Sequence, residues 1–260
     1  MKQIQLLILI LVVGCVTTPE TGRQAFILTS ESQEITMGEK AYLDFLKKQK
    51  VSDQKEWNEI VQRLGKRISI AANRPDYRWE FKLIDSPEAN AFCLPGGKVV
   101  VYTGILKMAQ NEAALAAVIG HEVAHATARH GGQRITAVLG AQLGMAAISE
   151  LMGGESTHEK KLLLAALGLG ANVGVVLPFS RSNEREADEM GLIYMARAGY
   201  DPREAPRFWE RFGKSNDSSV PTFLSTHPAS SDRKVALEAL LPKALQIYET
   251  SSKNGIGESF

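Results

Sequence analysis

The feature that most constrains this chain is an apolar, alanine-rich run that begins after Asn111 and carries polar residues in its second half. It reads GHEVAHATARHGG over residues 120–132, with three histidines and one glutamate within ten positions. Asn111 is a suitable N-cap, so the run predicts a long helix that ends at the glycine pair 131–132. Ionisable side chains on an apolar helix need partners, so these residues require a chemical explanation.

Two of the histidines have the spacing of a metal site. Residues four apart share one face of a helix, so the imidazoles of His121 and His125 can hold one zinc ion. Glu122 sits beside the first ligand, where a carboxylate reaches a water on the metal without binding the metal itself. This offset is typical of a general base for hydrolysis. His130 lies off the ligand face and is predicted to be a surface or helix-end residue.

A second polar segment, SRSNEREADEMG, supplies a candidate third ligand. A catalytic zinc ion needs three protein ligands and an open fourth position. Glu184 and Asp188 are one helical turn apart, so one carboxylate can bind the metal while the other hydrogen-bonds a ligand histidine. The alternative interpretation is a charged helix face that leaves Arg181, Arg185 and Glu186 in solvent.

Together these motifs resemble those of the zinc metallopeptidases that include HtpX, the CAAX prenyl proteases and the periplasmic proteases BepA and LoiP. The resemblance extends to NAFCLPGGKVVVYTGIL at 90–106 and to STHPASSDR at 225–233. It implies one Zn²⁺ ion per chain and makes Asp188 the partner of a ligand. The zinc ligands that it implies are His121, His125 and Glu184. The small lipoprotein-type periplasmic members are the most similar group, because the chain lacks clear membrane spans and a tetratricopeptide extension.

The segment STHPASSDR contributes two further candidates. On the residues alone, a histidine before a proline is an ordinary loop residue. In the family this segment folds back over the metal, so His227 either donates to the oxyanion or binds zinc in the fourth position until substrate displaces it. Arg233 is the alternative donor to the oxyanion or to the substrate backbone. We favour the blocking role for His227, because a protease with little sequence selectivity needs restraint when idle.

A β-branched segment, GKVVVYTG at 97–104, predicts a strand, and WEFKLID at 79–85 predicts another. If residues 98–103 form an edge strand beside the zinc helix, an extended substrate can add to it through backbone hydrogen bonds. The alternative is a strand that only completes the sheet. The resemblance favours substrate binding. The residues predicted to contact substrate are Asn90, Lys98, Val99, Val100 and Val101.

The helical patterns predict an α+β, mostly helical fold. This would be a gluzincin-type metallopeptidase domain over 29–250, with a small antiparallel sheet beside the zinc-binding helix and a tail at 251–260. Asp201-Pro202-Arg203-Glu204 predicts a capping box. The apolar run 162–179 predicts a buried core segment, with a membrane-dipping hairpin as the alternative. Besides the zinc helix, helices are predicted over 30–50, 52–73, 133–152, 159–173, 182–198, 202–213 and 229–249.

The N-terminus, MKQIQLLILILVVGC, predicts a secretory signal peptide over 1–14. Val12-Val13-Gly14-Cys15 resembles a lipobox, so Cys15 is predicted to be acylated and residues 15–28 to form a polar tether. The alternative is an uncleaved anchor with a chance cysteine. Acylation would attach the chain to the membrane by lipid, on the periplasmic side of the bacterial outer membrane.

Composition excludes other classes of function. Lysine plus arginine, 30, nearly balances aspartate plus glutamate, 29, so no nucleic-acid partner is expected. Cys93 is the one cysteine besides Cys15, so no internal disulfide is expected, and Cys93 is predicted to be a buried small hydrophobe.

The sequence therefore predicts a zinc endopeptidase that cleaves unfolded or misassembled envelope proteins, with Glu122 as general base. Two alternatives stay open. One is a catalytically silent, zinc-containing chaperone-like binding module of the envelope, against which the intact Glu122 argues. The other is a zinc hydrolase of non-peptide substrates. The sequence also leaves open whether the chain forms oligomers.

Overall fold

The computed structural model describes residues 14–149, 179–214, 222–227 and 232–255. Residues 1–13 of the predicted signal peptide, the predicted helix over 159–173 and most of the apolar run 162–179 lie outside these residues. The strands are β1 (Cys15–Thr17), β2 (Gln24–Phe26), β3 (Glu80–Ile84), β4 (Ala91–Leu94) and β5 (Lys98–Tyr102). The helices are α1 (Glu31–Leu46), α2 (Lys55–Ala71), α3 (Thr103–Ala109), α4 (Glu112–Thr127), α5 (His130–Ser149), α6 (Arg181–Arg197), α7 (Glu204–Gly213), α8 (Thr222–Thr226) and α9 (Arg233–Thr250).

The predicted α+β, mostly helical fold is confirmed. In the part of the chain that the structure describes, no helix combines the length and apolar character needed to span a membrane.

The sheet is mixed, with strand order β3-β5-β4. β5 pairs antiparallel with β4 and parallel with β3, so the predicted antiparallel sheet is antiparallel on one side only. The sequence pattern missed β4, which has four residues and is too short for alternation to be recognised. β4 joins β5 through Gly96 and Gly97, whose φ angles of 85° and 87° favour glycine. Because β5 is the central strand, the prediction of an edge strand over 98–103 is wrong.

Helices cover both faces of the sheet. Val99 and Val101 of β5 belong to the larger core, together with side chains of α2, α4 and α6, whereas Val100 and Tyr102 pack with Phe45 of α1. A strand that is covered on both faces has no polar positions to alternate with apolar ones. This explains why β5 reads as a continuous β-branched run.

All sixteen residues of α4 are buried. Asn111 caps the helix as predicted, since its side-chain oxygen accepts from the Ala114 backbone N–H at 2.8 Å. The helix ends at Thr127, before the predicted glycine pair. Arg129 makes the break: it has a left-handed φ of 55°, and its guanidinium donates to the buried Glu34 carboxylate at 2.6 Å.

Of two other predicted helix starts, the one at Ser30 is capped and the one at Asp201 is not. Ser30 caps α1 in a complete capping box with Gln33. The predicted capping box at Asp201 does not form, because α7 begins at Glu204 and its N-cap, Arg203, makes no side-chain cap bond. The Asp201 carboxylate accepts from the Arg203 backbone N–H at 3.0 Å instead.

Residues 15–28 depart from the predicted tether. β1 and β2 form an antiparallel hairpin that packs on the fold. Thr18 in its turn is 3% exposed, and Glu20 accepts from the Arg197 guanidinium of α6 at 2.8 Å. Downstream of the hairpin, the Leu28 N–H donates to the Thr136 hydroxyl of α5 at 2.9 Å. Polar side chains that suggest a solvated linker in the sequence are here partners of polar groups in the domain.

Helices α4 and α6 lie close together at a pair of glycines. A Cβ placed on Gly191 of α6 would lie 2.9 Å from the His121 backbone nitrogen. A Cβ on Gly120 of α4 would lie 3.0 Å from the Gly191 carbonyl oxygen. Real Cβ atoms essentially never come within 3.0 Å of backbone, so only glycine allows α6 to lie this close to α4.

We expect Gly191→Ala to lower the free energy of unfolding by about 1–3 kcal/mol, because α6 must move away from α4. Glycine-to-alanine changes within a helix usually stabilise by up to about 1 kcal/mol, so the sign is diagnostic. Urea unfolding of both forms measures the difference. Gly140→Ala in α5, where an added Cβ meets no described atom within 4 Å, is the control and should not destabilise. Equal stability of Gly191→Ala and wild type would contradict the close-contact argument.

Candidate metal centre

Helices α4 and α6 and the residue after α8 bring four metal-binding side chains together. They are all buried, and one donor atom from each lies within 4.8 Å of the others. The Nε2 atoms of His121 and His125 are 3.0 Å apart. The four residues are His121, His125, Glu184 and His227. Three of them are the ligands implied by the resemblance, and the fourth is the proposed blocking residue.

The donors fit a metal cation. Glu184 Oε2 and Glu122 Oε1 are buried and have no hydrogen-bond partner among the described residues. A buried carboxylate oxygen without a donor is costly unless a cation compensates it. Two imidazole nitrogens that face each other at 3.0 Å also favour a shared cation. The site therefore has the composition of a metal site, with two buried carboxylate oxygens that lack a hydrogen-bond donor among the described residues.

The pKa shifts of two of these residues, His125 and Glu184, favour the forms that bind a metal. Burial, opposed by a hydrogen bond to Glu184, lowers the pKa of His125 well below its usual value. Burial raises the pKa of Glu184, but His227, His121 and His125 outweigh it and hold that pKa well below the usual range. A neutral imidazole and an ionised carboxylate are the forms that bind a metal.

Asp188 lies where its predicted role requires. Its Oδ1 is 2.9 Å from His121 Nδ1, which leaves Nε2 facing the other donors. Burial and Arg233 lower the pKa of His121, but hydrogen bonds to Asp188 and Glu184 raise it to about 9. Unlike His125, this imidazole carries a second proton at neutral pH, and a metal has to displace that proton to bind. Arg233 donates from Nη2 to Asp188 at 2.6 Å and stacks on the Trp209 ring at 3.3 Å. The guanidinium thus contacts the same carboxylate oxygen that lies beside His121 Nδ1.

Glu122 lies beside the donor cluster and outside it. Its Oε1 is 3.5 Å from His227 Nε2. Burial raises the pKa of Glu122, against the opposing effects of His227 and His121. A glutamate with a raised pKa is a stronger base than an exposed one, which suits a group that accepts a proton.

Two residues differ from their predicted surroundings. His130 and Glu186 were expected at the surface, but they are 0% and 5% exposed. His130 Nδ1 is 2.9 Å from His125 Nδ1, and His130 Nε2 is 2.9 Å from Glu186 Oε2. The helical-face argument fails for His130 because α4 ends at Thr127 and His130 begins the next helix. Arg181 and Arg185 are exposed, as the charged-face interpretation expected.

The predicted substrate-binding residues do not form an accessible edge. Val99, Val100 and Val101 are fully buried in the central strand, and Lys98 Nζ donates to Glu80 at 2.6 Å. The Asn90 carbonyl accepts from the Tyr102 N–H at 3.0 Å and so bonds toward β5. The strand that lies at the edge of the sheet and packs on α4 is β4.

The two cysteines lie in different surroundings. Cys93 of β4 is partly exposed, although it was expected to be buried. Burial and then the negative charge of Glu122 raise the pKa of the Cys93 thiol, which places β4 near Glu122. Cys15 is an exposed thiol at the start of β1, and its acylation stays a prediction.

A pocket lies beside the donor cluster. Its lining includes Phe179, Glu184, Asp188 and Arg233, together with the exposed Arg181 and Arg185. Glu184 is the one member of the donor cluster that lines this pocket.

A helix with the pattern His-Glu-x-x-His, completed by a glutamate from a second helix, defines a metallopeptidase of the gluzincin type. Residues 55–241 match Peptidase family M48, and the chain belongs to this family. The resemblance found in the sequence is thus confirmed, as is the assignment to a family of metalloendopeptidases.

Several curated proteins are similar to this chain. Mitochondrial metalloendopeptidase OMA1 of Schizosaccharomyces pombe is 41% identical over 195 residues, which cover 74% of this chain and 55% of the relative. OMA1 of Saccharomyces cerevisiae is 32% identical over 268 residues, covering 93% and 73%. The beta-barrel assembly-enhancing protease of Escherichia coli is 27% identical over 238 residues, covering 84% and 45%. The chain thus spans about half the length of the first and third of these relatives.

The comparisons correct the predicted location. The chain was expected to be lipid-anchored on the periplasmic side of the bacterial outer membrane. The OMA1 relatives from Schizosaccharomyces pombe, Arabidopsis thaliana, Saccharomyces cerevisiae and Bos taurus, at 32–41% identity, are mitochondrial proteases, and this prediction is wrong.

Proposed function

We propose that this chain is a zinc endopeptidase that hydrolyses peptide bonds in unfolded or misassembled proteins. The observation that carries the proposal is the convergence of His121, His125 and Glu184, all buried, with Glu122 beside them. Two imidazoles and one carboxylate are the donor set of a well-known class of catalytic zinc sites, so zinc is the metal we assign.

Zinc held by His121, His125 and Glu184 would supply an activated water molecule and would polarise the scissile carbonyl. Glu122 accepts the proton from the attacking water and returns it to the leaving amine. Burial raises the pKa of Glu122, which favours the first of these transfers because it makes the carboxylate a stronger base. Asp188 holds the imidazole of His121 by its Nδ1, and Arg233 holds Asp188 in turn. This contact supports a positioning role for Arg233 more strongly than donation to the oxyanion.

The edge of β4 is the proposed site of substrate addition, in place of β5. The backbone carbonyl of Asn90 bonds to β5. In an antiparallel pair, the backbone groups of alternate residues point toward and away from the neighbouring strand, so those of Ala91 and Cys93 point away from β5. β4 has β5 on one side and no second strand among the described residues. An extended peptide can bond to these backbone groups with little dependence on its side chains. This mode favours unfolded segments, because folded proteins rarely offer a free strand.

The substrate proposal no longer includes the bacterial envelope, since it depended on the location that the comparisons contradict. The name of the Escherichia coli relative refers to assembly of β-barrels, and that of the others to mitochondria. What the proposal keeps is the chemical class, an extended and unfolded polypeptide.

His227 is proposed to block the site in the resting protein. Its Nδ1 lies 3.0 Å from Glu184 Oε1 and 3.2 Å from His121 Nε2, among the donors. Its ring stacks on Phe223 of α8, with ring centroids 4.4 Å apart. A fourth protein ligand closes the position that a catalytic zinc must keep open, so His227 has to leave when substrate binds.

We expect Glu122→Gln to keep stoichiometric zinc and to lose peptide hydrolysis, because the amide keeps the shape and cannot accept the proton. Metal analysis and release of casein fragments measure the two properties. Glu184→Ala is the comparison variant and should lose the metal itself. Undiminished proteolysis by Glu122→Gln would remove Glu122 as the base, and a silent wild type would favour the chaperone-like alternative.

We expect His227→Ala to raise the basal rate of casein cleavage and to weaken zinc binding, because it opens the fourth position. A donor to the oxyanion would behave in the opposite way. Its loss would leave zinc affinity unchanged and lower the rate by roughly a hundredfold or more. Initial rates together with zinc affinity therefore separate the two roles. A slower enzyme with unchanged zinc affinity would overturn the blocking role.

We expect Cys93→Pro to lower kcat/KM for extended peptides by roughly threefold to tenfold, the effect of one lost hydrogen bond. Proline removes the N–H that points away from β5 and is tolerated on edge strands. Cys93→Ala keeps this N–H and is the matched control. Circular dichroism checks that both variants are folded. Equal kcat/KM for the two folded variants would contradict addition of substrate at β4.

A further inference from the structure

The ligand His125 begins a chain of buried side chains that ends at the N-terminal hairpin. Its Nε2 faces the other donors, 3.3 Å from Glu184 Oε1. Its Nδ1 lies 2.9 Å from His130 Nδ1, and His130 Nε2 lies 2.9 Å from Glu186 Oε2. Each of these contacts is buried, so the three groups interact without competition from solvent.

Chemistry allows one arrangement of protons along this chain. A histidine that binds a metal through Nε2 carries its proton on Nδ1 and donates it. His125 therefore donates from Nδ1 to His130 Nδ1, which must be unprotonated to accept. The proton of His130 is then on Nε2, from which it donates to the Glu186 carboxylate. The carboxylate of Glu186 thus fixes the tautomer of both rings.

Glu186 is itself held by side chains from the turn between β1 and β2. The Thr18 hydroxyl donates to Oε1 at 2.7 Å, and the Thr21 hydroxyl donates to the same oxygen. Arg23 donates from Nε to Oε2 at 2.7 Å. Arg23 also donates from Nη2 to the Gln133 side chain of α5 at 2.9 Å, so the turn is anchored at two points. These donors lie more than 160 residues away from Glu186 in sequence.

We propose that His130 and Glu186 are positioning residues for the metal ligand His125, and that the N-terminal hairpin controls how firmly the metal is held. Thr18, Thr21 and Arg23 keep the Glu186 carboxylate pointed at His130, and His130 keeps Nε2 of His125 pointed at the metal. The hairpin is a structural part of the metal centre, although none of its residues reaches the donor cluster. Displacement of the hairpin by a partner or by cleavage releases the metal more easily.

The inference rests on the proposed zinc site, and its test uses the apo and zinc-loaded full chain. The rate of zinc release is measured with a chelating dye. Glu186→Gln and His130→Phe are expected to release zinc roughly 10–100-fold faster than wild type, the usual effect of losing a partner of a ligand histidine. Thr18→Val combined with Thr21→Val should accelerate release in the same direction by a smaller factor. Cobalt substitution should give an altered visible spectrum in the same variants, because the ligand ring is less fixed.

Two controls separate positioning from general destabilisation. Thr17→Val removes a hydroxyl of the same hairpin that bonds Gln24 and not Glu186. Glu189→Gln removes a carboxylate of the same helix that pairs with Lys243. Both should release zinc at the wild-type rate. Arg23→Lys, which keeps the cation, should retain more of the wild-type behaviour than Arg23→Ala.

The zinc-release experiment separates a positioning role from a purely structural one. If Glu186→Gln folds and releases zinc at the wild-type rate, the positioning role is wrong. If release rates only follow the unfolding free energies of the apo variants, the effect is general destabilisation and the inference is also wrong. The double threonine variant keeps Glu186 and its arginine, so it tests the hairpin even where Glu186→Gln fails to fold. Wild type that binds no zinc, or Glu184→Ala that still binds it, would remove the proposed zinc site itself.

Discussion

The rest of the site depends on the contact between α4 and α6 at Gly120 and Gly191. These helices carry the histidines and the glutamate respectively, and a Cβ at Gly191 would meet the backbone of His121 itself. The distance between the helices at this point therefore sets the distance between the imidazoles and Glu184. Side chains in contact can adopt other rotamers, but backbone atoms in contact cannot. The backbone contact therefore fixes the distance between the helices more firmly than side-chain packing would.

Helix α6 uses three carboxylates at alternate positions for three different purposes. Glu184 faces the metal donors, Glu186 faces His130 and the hairpin, and Asp188 faces His121 and Arg233. Residues two positions apart project about 200° apart around a helix, so Glu186 projects from the opposite face to Glu184 and Asp188. One helix can therefore contact His121, His125 and His130 of the neighbouring segments through different side chains. Each ligand histidine thereby receives its own carboxylate, directly for His121 and through His130 for His125.

The part of the site that lies within one helix could be predicted from the sequence. The spacing of His121 and His125 and the offset of Glu122 belong to one helix and follow from its geometry. The positions of Glu186, His130 and β4 did not follow. Glu186 becomes buried through a hairpin more than 160 residues away, and His130 follows a helix break that Arg129 makes with Glu34. β4 changes which strand lies at the edge of the sheet. Contacts between segments that are distant in sequence produce no repeating pattern of apolar residues, so a single sequence does not reveal them.

The distribution of charge supports the proposed position of the metal. Two carboxylates of α6 are paired with arginine, since Arg23 pairs with Glu186 and Arg233 pairs with Asp188. Glu184 and Glu122 contact histidine instead: Glu184 Oε1 lies 3.0 Å from His227 Nδ1, and Glu122 Oε1 lies 3.5 Å from His227 Nε2. Arg233 lies 3.4 Å from Glu184, and the charge of the buried Arg134 acts on both glutamates. One oxygen of each glutamate still has no hydrogen-bond donor among the described residues. A divalent cation beside His121 and His125 would supply the missing partner, whereas Glu186 and Asp188 already have theirs.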